Sequence, residues 1–170
     1  MLDLIDELHE GAGYIIDILP KTMESKGYFE LEEYLMDTYI DEYAEKIVRI
    51  VLKIINYYSA QIFLTELPEN YCGELKNYPV DTDINGLDIK ELADIIRYII
   101  KNDISSVQLL LGDSPYFNIS ISGGFNIDIY GAADDDLELI EMLVRQEGLF
   151  LRKTADTRYE LRADYGEDDH

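Results

Sequence analysis

The chain has 170 residues, 47% of them hydrophobic, with 36 acidic residues against 14 basic ones and a formal net charge of −22. That apolar content excludes wholesale disorder, and the length suits one core, or one core with a helical extension. The charge disfavours phosphate backbones and anionic lipid surfaces, which bind through Lys and Arg, and favours basic proteins, whose encounter it accelerates.

The first acidic residues, in Met1-Leu2-Asp3-Leu4-Ile5-Asp6-Glu7, are not those of a secretory signal, and Cys72 is the only cysteine. Both fit a reducing, cytoplasmic location, in which the sequon Asn118-Ile119-Ser120 is accidental. Residues 2–18 carry Leu4, Ile5, Leu8, Ala12, Ile15, Ile16 and Leu19 at spacings of three and four. This predicts a first helix, weakened by Gly11 and Gly13 and ended by Pro20. A longer second helix is predicted from Phe29 to Leu64, its apolar stripe running Leu31, Leu35, Tyr39, Tyr43, Ile47, Ile50, Val51, Ile54 and Tyr58. Glu42, Lys46, Arg49, Lys53 and Asn56 share one narrow polar face, so the helix is largely buried by protein. The same charges argue against a membrane span over Ile47–Leu64.

Residues 67–86, with Pro68, Gly73 and Pro79, read as a connector. A third helix follows over Leu87–Lys101, with Leu92, Ile95, Ile96, Ile99 and Ile100 as its buried face. Val107–Leu111 reads as a strand. In Tyr116–Tyr130, Phe117, Ile119 and Ile121 alternate with polar residues, as do Phe125, Ile127 and Ile129, around Gly123-Gly124. This is the pattern of an antiparallel hairpin with one buried face. A fourth helix over Asp134–Glu147 opens on Asp134, Asp135 and Asp136 at the positive end of its dipole and stops at Gly148. Leu149–Lys153 and Tyr159–Arg162 read as two further strands, and residues 164–170 as an acidic tail.

The expected fold is α+β, with N-terminal helices packed on one face of a small, mainly antiparallel sheet, in the order α-α-α-β-β-β-α-β(-β). A helical segment (1–66), the connector (67–86) and an α+β segment (87–163) together form one domain.

Asp81-Thr82-Asp83-Ile84-Asn85-Gly86 resembles the opening of a calcium-binding EF-hand loop, which places oxygen ligands at positions one, three and five and glycine at six. The resemblance ends there: position eight is Asp88 and position twelve, where a bidentate Glu belongs, is Leu92. A turn with Asn85 or Asp88 capping the third helix explains the same residues, so no metal or cofactor is expected. Gly11-Ala12-Gly13 follows no strand and lacks the third glycine of a dinucleotide fingerprint, and no phosphate-binding Gly-Lys-Ser/Thr loop occurs. His9 and His170 are the only histidines. With Cys72 they build neither a zinc site nor a nucleophile–base pair, so catalysis would have to rest on unidentified carboxylates.

What remains is a surface. Residues 1–45 hold thirteen acids against Lys21 and Lys26, interleaved with Tyr28, Tyr34, Tyr39 and Tyr43. Glu33, Asp37, Asp41 and Glu45 form a row at spacing four on the second helix, beside Tyr34. Like charges at that spacing weaken a helix, so the row is a candidate contact for a Lys- and Arg-rich protein. The expected function is that of a non-catalytic acidic binding protein, an inhibitor or immunity-type protein that neutralises a basic toxin or nuclease. A structural or oligomeric adaptor using the apolar second helix, or a nucleic-acid mimic, are the alternatives, and self-association stays open.

Overall fold

The computed structural model describes residues 2–22 and 27–154; the strand expected at Tyr159–Arg162 and the tail at 164–170 lie outside them. In chain order the elements are α1 (Leu2–His9), β1 (Gly13–Asp17), α2 (Gly27–Thr38), α3 (Ile40–Ile54), β2 (Ala60–Leu64), α4 (Ile89–Asn102), β3 (Val107–Leu111), β4 (Phe117–Ile121), β5 (Ile127–Tyr130), α5 (Asp134–Gln146) and β6 (Phe150–Lys153), with a 3-10 turn at Glu74–Asn77 before α4. The fold is α+β, and its six strands form one antiparallel sheet in the order β2-β3-β4-β5-β1-β6. Among the described residues no helix is long and apolar enough to cross a membrane.

The C-terminal half follows local chemistry. Asp88 caps α4 by accepting the Glu91 N–H at 2.8 Å, while the Glu91 carboxylate accepts the Asp88 N–H at 3.2 Å. This reciprocal pair fixes the start of the helix. Its apolar positions Leu92, Ile95, Ile96, Ile99 and Ile100 are all buried. At α5 the Asp136 carboxylate accepts the Ala133 N–H at 3.1 Å, and Gly148, at φ 74°, lets the chain leave the helix in the left-handed region.

The N-terminal half departs from its periodicity in two places. Residues 13–17, expected inside the first helix, form β1, which lies between β5 and β6 and has both of its edges paired. Tyr14-Ile15-Ile16 suits a strand, and two full ladders outweigh a helical pattern already interrupted by Gly11 and Gly13. Gly13 is also needed for space: a Cβ there would lie 2.9 Å from the Tyr130 ring.

The expected 29–64 helix divides into α2, α3 and β2. At Tyr39 (φ −124°, ψ −12°) the helix bends, although the Tyr39 N–H still reaches Leu35 O and the Tyr43 N–H reaches Tyr39 O. The Thr38 hydroxyl donates to Tyr34 O at 2.7 Å, a back-bond that favours such bends. After α3 the chain turns and enters the sheet as β2, so Ile62 and Leu64 are buried as strand residues.

The strands place alternate side chains on two faces. On the first, Ile16, Ile62, Leu64, Val107, Leu109, Leu111, Phe117, Ile119, Ile121, Ile127 and Ile129 join the buried faces of α3, α4 and α5 in one core. The expected hairpin register holds for β4 and β5. Phe125, however, lies in a five-residue connection closed by the Ser122 N–H to Asn126 O, and packs edge-on to Tyr43. The polar partners in the alternation are not solvent-facing either: Asn118, Ser120 and Asp128 are buried, in a sheet whose second face carries α1.

Residues 67–86 pack against the rest of the fold. Leu75 is buried in the core, and residues 80–84 line the outer edge of β2 through bridges between Val80 and Leu64 and between Asp83 and Phe63.

Candidate functional site

Several residues singled out from the sequence are engaged inside the fold. Asp83 Oδ1 accepts the backbone N–H groups of Ile62 and Asn85, each at 3.0 Å. The first satisfies a donor on the edge of β2, the second closes the turn toward α4. The calcium-like segment Asp81, Asp83 and Asn85 is thus an edge cover, and among the described residues no group of three or more His, Cys, Asp or Glu is placed to hold a metal ion. His9 Nε2 meets Asn118 Oδ1 at 3.0 Å, and the His9 ring lies 4.4 Å from that of Tyr130. Asn118 Nδ2 donates to Leu109 O, so its oxygen faces the imidazole and Nε2 is the donor. Cys72 is exposed and unpaired. The open groove between residues 65–69 and 104–106 is lined by Thr65, Ser105 and Ser106, whose hydroxyls bond to one another and to local carbonyls.

The acidic row is divided by the bend at Tyr39. Asp41 and Glu45 lie on α3 and face α4, where Asp41 pairs with Lys101 and Glu45 with Arg97, which also pairs with Asp94 at 2.8 Å. The hydrogen bond from Arg97 holds the Glu45 carboxyl below its ordinary range, its charge strengthening the effect. These two carboxylates pair across the α3–α4 contact, whose apolar faces lie in the core. Elsewhere the cations of α3 serve the same end: Arg49 and Lys53 pair with Glu147 at 2.8 and 3.4 Å, tying the end of α5 to α3. Tyr58 donates to Asp136 at 2.8 Å, and burial followed by that bond pushes its hydroxyl up to about 12.

Glu33, Tyr34 and Asp37 lie on α2 and are exposed. At 100° per residue they join Phe29 and Glu30 on a single arc of the helix. Phe29 is 54% and Tyr34 63% exposed, and among the described residues no ion pair includes Glu30, Glu33 or Asp37. None of the residues of α2 is fully buried. Phe29 was not among the candidate residues read from the sequence; its place on the same turn as Glu33, four residues on, was the available signal. Two exposed aromatic side chains among three carboxylates make a surface able to stack on, and neutralise, arginine and lysine side chains.

No protein-family model, curated protein or solved structure matches this chain.

Proposed function

We propose that this is a non-catalytic acidic binding protein that covers the working surface of a basic protein, such as a toxin or nuclease, in the cytoplasm. The observation that carries the reading is the exposed arc of α2. A twelve-residue helix with no buried residue gains little from its own packing, yet it displays Phe29 and Tyr34 among Glu30, Glu33 and Asp37. Exposed aromatic residues are enriched at contact centres, and charged residues around them at the rim steer encounter. The adaptor reading depended on the apolar face of the second helix. Tyr43, Ala44, Ile47, Val48, Ile50, Val51 and Ile54 of α3 are buried within the chain, so that face has its partners already.

The test is a charge reversal on α2 alone, Glu33→Lys with Asp37→Lys. Each exchange changes the charge by two, about four units in total, at positions that make no ion pair among the described residues. Asp41 is left in place because Lys101 depends on it. The partner is found by pull-down from the native host, and association is followed by surface plasmon resonance. Capture of a basic protein should slow by at least about tenfold at low salt, with a smaller effect near molar salt. An unchanged association rate in a folded variant removes α2 from the contact surface. Recovery of no basic partner ends the capture reading.

A further inference from the structure

The second sheet face carries a helix set apart from the main core. Cross-strand pairing aligns Gln61, Leu110, Asn118 and Tyr130 in one row across β2, β3, β4 and β5. α1 lies along that row: Ile5 packs with Leu110 and Phe63, and His9 meets Asn118 and Tyr130. The cluster it forms has only Ile5, Phe63 and Leu110 fully buried and is separate from the core on the first face.

Three features work against the seating of α1. Eight residues are too few to hold a helix without tertiary support. Asp3, Asp6, Glu7 and Glu10 bring four negative charges onto a chain of net charge −22, and among the described residues none of the four is in an ion pair. On the same face, Gln61 Oε1 and Gln108 Oε1 are buried with no hydrogen-bond partner among the described residues. Gln108 is 7% exposed, and its Nε2 donates to Ser106 Oγ at 3.2 Å and Ser120 Oγ at 2.9 Å. Turning the amide over would move the unmet atom from oxygen to nitrogen without removing it. Buried acceptors left unmet are costly, and natural folds keep few of them.

We propose that α1 is a displaceable lid occupying the seat of a ligand, and that the ligand is a basic amphipathic helix of the captured protein. This rests on the basic-partner reading given above. Such a helix presents the same apolar spacing to Phe63, Leu110 and Tyr116, replaces like-charge repulsion by attraction, and brings Lys, Arg or amide donors to the glutamine carbonyls. The exposed link Glu10-Gly11-Ala12 lets α1 leave while β1 stays paired on both edges.

The probe is a fluorescein-labelled peptide of residues 2–10 in which Asp3, Asp6, Glu7 and Glu10 are each replaced by Lys. It is compared with a peptide of identical composition whose apolar spacing is scrambled. Against the full chain, the first should bind at least about tenfold more tightly by fluorescence anisotropy. Hydrogen exchange followed by mass spectrometry should show faster exchange in residues 2–9 and unchanged protection in β3 and β4. Equal affinity of the two peptides, or unaltered exchange in α1, overturns the proposal. The Glu33→Lys, Asp37→Lys variant should keep the peptide affinity within about twofold. A loss matching that of scrambling would place the peptide on α2, overturning the lid and leaving the capture reading standing. Displacement of α1 by the peptide, with no basic partner recovered from the host, would support the lid and defeat the capture reading.

Discussion

Replacing Gly123 by Ala should be among the most damaging single-methyl additions to this chain. The connection between β4 and β5 rests on the C-terminal end of α4, where the Gly124 N–H donates to Ile100 O at 2.8 Å. A Cβ on Gly123 would lie 2.2 Å from Asp103 Cβ and 2.4 Å from Asp103 Cα. Carbon atoms settle at about 3.5–4.0 Å, so the two segments must separate by more than about 1 Å. No rotamer change relieves a clash with backbone, and Asp103 is itself fixed in the left-handed region at φ 49°. That separation stretches the Gly124–Ile100 bond beyond useful length. The lost buried bond costs about 1–3 kcal/mol and the strain about 1–3 kcal/mol, offset by about 0.4–1 kcal/mol from a less flexible unfolded chain. The net is roughly 1–6 kcal/mol, or a fall in Tm of roughly 2–20 °C for a chain of this size. Gly86→Ala is the comparison, because a Cβ there meets nothing within 4 Å. It should stay within about 0.5 kcal/mol of the parent protein. The assay is urea unfolding followed by circular dichroism, and equal midpoints for the two variants would refute the close approach.

Ile127 is fully buried on the first sheet face, so Ile127→Asp should leave no cooperative unfolding transition, since it brings an unpaired charge into the core. Asn126→Asp should fold, losing only the bond from Asn126 Nδ2 to Gly123 O, about 0.5–1.5 kcal/mol; coincident melting curves would contradict the register. The hydrogen bond from Arg49, with Lys53 beside it, holds the Glu147 carboxyl below its ordinary range. Its folded value is depressed, so its contribution is complete above the unfolded carboxylate value of about 4.3 and is lost as pH falls through the folded value. Both cations are substantially exposed, so Glu147→Gln should lower stability by about 1 kcal/mol or less at pH 7, and the difference should shrink below about pH 4. Urea midpoints at pH 7, 4 and 3 measure it, and a constant difference across that range would show that the ion pairs are not its source.

The elements set by local chemistry were legible in the sequence. The cap of α4, expected at Asn85 or Asp88 and found at Asp88, the 3.6-residue period of α4, the acidic first turn of α5, the stop at Gly148 and the alternation in β4 and β5 each act within a few residues. Three of the five candidate surface residues, Glu33, Tyr34 and Asp37, are exposed on a helix, as their spacing allows. The ion pairs of the other two were not legible, because Asp41 pairs with Lys101 and Glu45 with Arg97, about fifty to sixty residues further along the chain.

Acidity, the α+β class and the apolar inventory of the core followed from the sequence alone. Tertiary structure decided where the chain stops being helical. Tyr14-Ile15-Ile16 fits the apolar spacing of a helix and the propensity of a strand equally well, and only the presence of β5 on one side and β6 on the other settles it. The same holds for residues 60–64, which continue a helical stripe until β3 supplies a ladder. Tertiary structure also decided which carboxylates enter ion pairs and why the polar residues of the strands are buried. Backbone hydrogen bonds in a helix close within four residues, whereas those of a strand, and the ion pairs between helices, are completed by groups that lie tens of residues away.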